Sequence, residues 1–214
     1  MRHYLLVEGV TDVSLVKYIC HTRLNIIFSD FKKKKGEAKV DTYEYKDKDL
    51  VIIDLKGQDN LPYVLTNIIF PEQQKVKTIG IIQDADDDFN ASKQSIKQAI
   101  LNSKIPSGKI QYFLTPNNQD KGDLETLLLS TIAKGNKIID CFDDYKTCLE
   151  NQQTVHQKAL NKGQVYAYTM YSQAGANLYK TQDSFIYNNQ DTGLWDLNNK
   201  NFNPIIDFVL NIFN

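Results

Sequence analysis

Short apolar runs alternate along the chain with segments whose apolar residues recur at helical spacing. Runs typical of buried strands lie at 4–7, 50–54, 78–82 and 111–114, and 26–28 is a further candidate. Thr11 is the expected N-cap of a first helix that extends to about Leu24. A second helix has Pro62 in its first turn, and residues 90–101 form a third. This order over residues 3–114 predicts a largely parallel sheet with helices on both faces.

The other segments are either strongly charged or helical. Residues 30–49 are charged and include four consecutive lysines at 32–35, so we expect a loop or an exposed hairpin with a solvated basic face. Further helical patterns lie at 123–133, 138–150 and 204–213. We therefore predict an α/β domain over residues 1–130 and a helical C-terminal region over 131–214 that packs on it.

Composition narrows the class of protein. The 214 residues are 42% hydrophobic, and 25 Lys and Arg against 26 Asp and Glu give a net charge of −1. A polycationic tail is excluded, so any nucleic acid has to contact a local basic patch. Three cysteines without a C-x-x-C pair indicate a reducing, cytoplasmic location. No apolar stretch approaches the roughly 18 residues of a membrane span, so we expect no membrane partner.

Acidic residues follow two of the predicted strands. Glu8 comes after the first strand, and Asp84 and Asp86 come after the strand at 78–82. Ligands of parallel sheets bind beyond the carboxyl ends of the strands, and alternate strand residues share a face, so these carboxylates can meet in one crevice. Crowded carboxylates repel one another, and a hard cation such as Mg²⁺ relieves that repulsion. The pattern predicts a divalent-metal site.

Three more carboxylates are candidates for the same site. Asp12 and Glu125 could supply ligands for a second metal, and Asp88 could act as a further or water-mediated ligand. Asp12 and Glu125 also lie in the first turns of predicted helices, where a carboxylate stabilises the helix dipole without any other function. Both interpretations stay open for these two residues.

Two motifs resemble the TOPRIM domain, the metal-binding fold of topoisomerases, primases, small RNA-maturation nucleases and OLD-type nucleases. V-E-G-V-T-D at 7–12 and I-I-Q-D-A-D at 81–86 each follow a predicted strand, and the form E-G-x-x-D is closest to the OLD-like branch. The segments T-P-N-N-Q-D-K-G-D-L-E-T-L-L at 115–128 and L-W-D-L…F at 194–208 resemble a small stand-alone TOPRIM-related family of uncharacterised function. The TOPRIM resemblance covers roughly residues 1–125 and implies a Rossmann-like sheet.

The resemblance also implies roles for individual residues. Glu8 would act in acid–base or metal chemistry, and Asp84 and Asp86 would hold Mg²⁺ or Mn²⁺. Asp12 and Glu125 would help to hold a second metal. The resemblance to nucleases implies DNA or RNA as a partner. OLD-type proteins combine this domain with an ATPase, so the resemblance also implies a separately encoded ATPase as a partner.

Basic and aromatic residues give weaker signals. Lys56 and Lys121 both follow predicted strands near the crevice and could neutralise a phosphate, so Lys121 joins Glu8 as a catalytic candidate. Four tyrosines could stack on bases, although helical spacing favours packing in the core or against a partner; they are Tyr166, Tyr168, Tyr171 and Tyr179. Cys141 and Cys148, seven residues apart, are expected on one buried helical face.

The expected activity is metal-dependent cleavage of a phosphodiester bond in nucleic acid. The metal would hold the phosphate while Glu8 handles a proton or completes the metal shell. One alternative is a non-catalytic module that binds metal and nucleic acid or a nucleotide. Another is a phosphatase with Asp84 as nucleophile, which would leave Glu8 and Gly9 unexplained. The sequence lacks G-x-x-x-x-G-K-[ST] and G-x-G-x-x-G, so we expect no ATP or dinucleotide site of the usual kind.

Overall fold

One mostly parallel sheet forms the centre of the fold. The computed structural model describes residues 1–34, 39–45, 47, 49–151, 155–172 and 194–213. Within these residues the strands are β1 Arg2–Val7, β2 Lys32–Lys34, β3 Asp41–Tyr45, β4 Leu50–Asp54, β5 Val76–Asp84 and β6 Ile110–Thr115. They form one sheet of order β2-β3-β4-β1-β5-β6. Strands β4, β1, β5 and β6 are parallel, whereas β2 and β3 form an antiparallel hairpin on β4.

Helices cover both faces of this sheet. They are α1 Val10–Leu24, α2 Leu61–Tyr63, α3 Phe89–Ser103, α4 Leu124–Ser130, α5 Lys137–Glu150, α6 Gln157–Tyr171 and α7 Asn203–Phe213. The chain continues from α2 as a π-helix over Val64–Ile69 and a 3₁₀ segment over Phe70–Lys75. The predicted α/β class and mostly parallel sheet are therefore confirmed. Among the helices of the described residues, none is both long enough and apolar enough to cross a bilayer.

The central strand β1 is buried on both faces. Leu5 and Val7 pack into a core that also contains α1, α4 and α7, whereas Tyr4 and Leu6 pack into the core on the α2–α3 side. The first core includes Val165, Trp195 and Val209, so the C-terminal helices share a hydrophobic core with the sheet. Tyr168, half-buried, packs edge-on against Trp195 at a ring-centroid distance of 5.3 Å.

The expected strand at 26–28 and the expected N-cap of α1 are wrong. Helix α1 ends at Leu24, its C-cap Asn25 has a left-handed backbone with φ 55°, and a 3₁₀ turn follows at Phe28–Asp30. Ile26 is fully buried but Ile27 is 57% exposed, so the apolar run anchors a turn. The N-cap is Gly9, whose N–H donates to Asp12 Oδ2 at 3.0 Å, and Thr11 lies inside the helix.

The predicted burial of Cys141 and Cys148 is also wrong, because both thiols are exposed. Helix α5 contains no buried residue, and its Phe142 lies so near α6 that a Cβ atom added at Gly163 would be 3.0 Å from Phe142 Cζ. Among the tyrosines, Tyr166 and Tyr171 are exposed, and Tyr179 lies outside the described residues.

Helix α7 packs directly on the middle of the sheet. The Ile212 carbonyl lies 2.6 Å from His3 Nδ1 and accepts a hydrogen bond from Thr78 Oγ1 at 2.8 Å, so it joins β1 and β5. A Cβ atom at Gly80 would lie 2.6 Å from Leu5 Cδ1 and 2.7 Å from Ile212 Cγ1. Only a residue without a side chain fits beneath α7 at this position.

We expect Gly80→Ala to lower the free energy of unfolding by about 1–3 kcal/mol, because the added methyl group overpacks the contact between β5 and α7. Urea denaturation followed by circular dichroism measures the change. Gly108→Ala is the control, since a Cβ there meets no atom within 4 Å. Equal stability of the two variants would contradict this packing of α7 on β5.

Candidate metal centre

A crevice opens at the carboxyl ends of β1 and β5. The chain leaves β1 towards β4 on one side and later returns to β5 on the other, so this gap is the topological switch point of the parallel strands. A cavity of about 400 Å³ lies there. Its lining brings together Glu8, Asp12, Asp84 and Glu125 of the predicted ligands. The strand-end placement inferred from the sequence therefore corresponds to one cavity.

Asp84 is the most firmly held carboxylate of the crevice. It ends β5 and is buried, and its Oδ1 accepts hydrogen bonds from Thr115 Oγ1 at 2.8 Å and from the Leu124 backbone N–H at 3.0 Å. Its backbone N–H donates to Glu8 Oε2 at 3.2 Å. Strand β6 and the first turn of α4 thus fix one oxygen of Asp84, which leaves Oδ2 for a cation.

Lys158 of α6 supplies that cation in the structure. Its Nζ lies 3.0 Å from Asp84 Oδ2 and 2.6 Å from Asp86 Oδ1. Asp86 is held in a left-handed conformation with φ 50°, and its carbonyl accepts from the Gly122 N–H at 2.8 Å. Burial opposes the charge of Lys158, but the hydrogen bond to Asp86 and the charge of Asp84 outweigh it and raise the pKa of the ammonium group.

The remaining carboxylates resist ionisation. Burial raises the pKa of Glu8 to about 7, and the charge of Asp84 contributes to that increase. Burial likewise raises the pKa of Asp12 well above its ordinary value, reinforced by the charges of Asp84 and Glu8. Burial also raises the pKa of Glu125. The crevice therefore favours either protons or a cation over the fully ionised set.

Two predicted site residues lie elsewhere. Asp88 is the N-cap of α3, where its Oδ1 accepts from the backbone N–H groups of Asn90 and Ala91 at 2.9 and 3.0 Å. Lys121 lines a separate cavity of about 520 Å³ together with Lys200. The structure does not bring either residue to the acidic crevice.

Four further residues line the crevice, of which the sequence analysis selected only Lys56, as a residue that could neutralise a phosphate. Lys56 does lie there, and its Nζ pairs with Asp41 Oδ1 at 3.3 Å. Asp54 ends β4, so the strand-end rule that selected Glu8 could have found it. Lys158 and Lys162 come from α6, more than seventy residues after Asp84, and no local pattern marks them.

The donor set of this crevice fits a small hard cation. Among the residues described, no three His, Cys, Asp or Glu side chains are arranged to hold one metal ion. The ammonium group of Lys158 nevertheless shows that one cation fits between Asp84 and Asp86. Mg²⁺ is commonly bound by one or two carboxylates together with waters and substrate phosphates. Two carboxylates match the number of protein ligands that Mg²⁺ or Mn²⁺ commonly takes, and in the structure Lys158 lies between them.

In the presence of a chelator, we expect Glu8→Gln to raise the free energy of unfolding at pH 8 and to change it little below pH 4.5. The folded pKa of Glu8, about 7, exceeds the ordinary value of 4.5, so its stabilising contribution is complete below 4.5 and is lost as the pH rises through 7. The gain at pH 8 should be on the order of 1–3 kcal/mol. Melting curves from pH 4.5 to pH 8 measure it, with the exposed Glu150→Gln as control. A pH-independent difference would contradict the raised pKa.

Comparison with known proteins supports the architecture. The structure resembles the crystal structure of a hypothetical protein from Pyrococcus horikoshii OT3, with a TM-score of 0.51 and 18% sequence identity over 98% of this chain and 100% of that chain. At this level of identity the likeness concerns the fold alone. A comparison with curated protein sequences finds no match.

A family model describes most of the sequence. The model, described as a protein of unknown function (DUF3226), matches residues 2–214. The matched range includes the strand ends that carry Glu8 and Asp84 and the helix that carries Lys158. Because the match covers far more than half of the sequence, the chain belongs to the DUF3226 family.

Proposed function

We propose that this protein hydrolyses phosphodiester bonds of DNA or RNA with Mg²⁺ or Mn²⁺ bound between Asp84 and Asp86. Lys158 supplies the main support, because its ammonium group marks a cation position at the switch point of the sheet. Because the motifs around Glu8 and Asp84 resemble those of TOPRIM domains, we also propose that the site is of the TOPRIM type. We also keep a separately encoded ATPase as a proposed partner, by resemblance to OLD-type proteins.

The charges of the crevice explain why a substrate would need a cation. Five carboxyl groups and three lysines line the cavity. The carboxyl groups are those of Glu8, Asp12, Asp54, Asp84 and Glu125, and the lysines are Lys56, Lys158 and Lys162. Whenever those carboxyl groups are ionised they outnumber the lysines and repel an anionic phosphodiester. A bound divalent cation would polarise the phosphoryl oxygen and stabilise the leaving oxygen.

The protein's own groups divide the remaining tasks. Thr115 and the Leu124 N–H hold Asp84 in one orientation, which fixes the position of Oδ2 in the crevice. Glu8 lies beside the Asp84 backbone, and a pKa of about 7 suits a group that accepts and releases a proton near neutral pH. Lys162 faces the same cavity and can offset part of the charge of the phosphodiester.

A second candidate function is a binding module without catalysis. It is favoured by two observations: Lys158 already pairs with both Asp84 and Asp86, and the described residues contain no three-ligand metal set. Such a module would bind nucleic acid or a nucleotide beside a partner protein and leave the phosphodiester intact. The two candidates differ in whether cleavage depends on Glu8.

We expect metal-dependent cleavage of at least one of three substrates, supercoiled plasmid, linear DNA and structured RNA, with none in chelator. Asp84→Asn and Glu8→Gln should each lower the rate by about 10²-fold or more, since one removes a ligand and the other the proton acceptor. Asp87→Asn is the matched control, because Asp87 is exposed in the same acidic turn.

The outcomes of this assay separate the candidates. Metal binding without cleavage of any substrate would contradict hydrolysis and favour the binding module. Cleavage that is equal in the wild type and both site variants would contradict the assignment of Glu8 and Asp84. Turnover of an aryl phosphate with phosphate trapped on Asp84 would instead identify a phosphatase.

We expect Lys158→Gln to increase the affinity for Mn²⁺ by about fivefold, because a partly exposed ion pair is worth about 1 kcal/mol and no longer competes with the metal. Titration calorimetry or the paramagnetic resonance of free Mn²⁺ measures the affinity. Lys162→Gln removes an equal charge from the same cavity without breaking the bridge, so it should change the affinity less. Equal effects of the two variants would show that Lys158 does not occupy the metal position.

A further inference from the structure

A second cavity lies on the other face of the sheet, behind the acidic crevice. It has a volume of about 560 Å³ and opens between the segment that follows β4 and helix α3. One end of it lies at the carboxyl ends of β4 and β5, where ligands of parallel sheets bind, and from there it runs along α3 to Asn102. Its volume is typical of small-molecule sites.

Gln83 forms part of the floor of this cavity. Because side chains alternate along β5, Gln83 faces the α2–α3 side whereas Asp84 faces the crevice. Gln83 is only 4% exposed, and its buried Nε2 has no hydrogen-bond partner among the described residues. A buried amide without a hydrogen-bond partner lowers the free energy of unfolding by about 1–3 kcal/mol, so an apolar residue at this position would make the folded protein more stable. The donor is available for a ligand.

The other lining residues restrict the chemistry of that ligand. Three more amides line the cavity, from Gln58, Gln98 and Asn102, and Asp59 provides its carboxylate. Gln98 Nε2 donates to Asn102 Oδ1 at 3.0 Å, which leaves the Gln98 oxygen and the Asn102 NH₂ group for a ligand. The lining contains no Lys, Arg or His among the described residues, so an anionic group would find no counter-charge there. Leu61, Pro62 and Ala99 add apolar surface. Amide donors and acceptors beside apolar surface suit an uncharged planar heterocycle, as in the recognition of base edges by Asn and Gln.

We propose that this cavity binds an unpaired nucleobase, with Gln83 Nε2 donating a hydrogen bond to an acceptor on the base. Base binding by this cavity does not depend on cleavage, but the link between the bound base and strand cleavage rests on the proposed function. Gln83 and Asp84 are consecutive residues on opposite faces of one strand end, so a single strand crossing that end can present a base to one cavity and a phosphodiester to the other. The substrate class is then single-stranded or locally unpaired nucleic acid.

The test uses free nucleosides, which carry no phosphate and therefore probe the base site without the metal site. The four nucleosides are titrated into ¹⁵N-labelled protein, and the side-chain amide signals of Gln83 are identified by their loss in Gln83→Leu. We expect at least one nucleoside to shift these signals. The backbone amide signals that shift with the nucleoside give the affinity of both proteins, and we expect Gln83→Leu to weaken binding by about tenfold, the equivalent of one lost hydrogen bond.

Stability provides a second readout that a merely structural glutamine would not produce. Because Gln83→Leu removes an unpartnered buried amide, we expect its melting temperature to rise by about 2–4 °C while nucleoside binding falls. The control is Gln119→Leu, at an exposed position in the loop after β6. A lower melting temperature with unchanged nucleoside binding would overturn the inference, and so would the absence of any shift of the Gln83 signals.

A final measurement separates a free nucleoside from a base within a strand. Fluorescence anisotropy with Mg²⁺ compares single-stranded oligomers of the preferred base with oligomers of another base, in Asp84→Asn protein so that the strand stays intact. A preference that Gln83→Leu abolishes supports a base within a strand, and the same affinity for both oligomers contradicts it. Nucleoside binding without cleavage by the wild type would refute the hydrolase proposal and leave the base site standing.

Discussion

The repulsion between carboxylates at one strand end is the constraint on which the site depends. Asp84 is buried and fixed by two hydrogen bonds, so it cannot turn towards water to escape its neighbours. Burial raises the pKa values of Glu8 and Asp12, and a lysine from a distant helix pairs with Asp84. In the structure, the ammonium group of Lys158 therefore holds the position between Asp84 and Asp86 that our proposal gives to a metal ion.

The sheet and the C-terminal helices build this site together. The parallel strands deliver Glu8 and Asp84 to a common edge, as expected from their topology. Helix α4 contributes a backbone N–H and Glu125, and α6 contributes Lys158. A sheet alone would leave the carboxylates without the groups that orient and neutralise them. Any chemistry at the crevice therefore involves residues from both halves of the chain.

The sequence allowed the sheet and its acidic edge to be predicted, because buried strands are continuous apolar runs and because parallel strands end on one side. The strand predicted at 26–28 was wrong, because apolar side chains can anchor a turn as well as a strand. Asp88 follows the same acidic pattern as Asp84, yet it caps a helix. Lys158 could not have been found, because its role depends on tertiary packing that brings α6 across the strand ends.

The contact between His3 and the Ile212 carbonyl joins residues that are 209 positions apart in sequence. Strand β1 lies at the centre of the sheet, yet one of its faces is covered by a helix that is translated much later. Contacts of such long sequence separation slow folding. During synthesis the part of the β1 surface that α7 covers therefore stays exposed until α7 has been made, and exposed apolar surface of this kind makes a growing chain prone to non-native contacts.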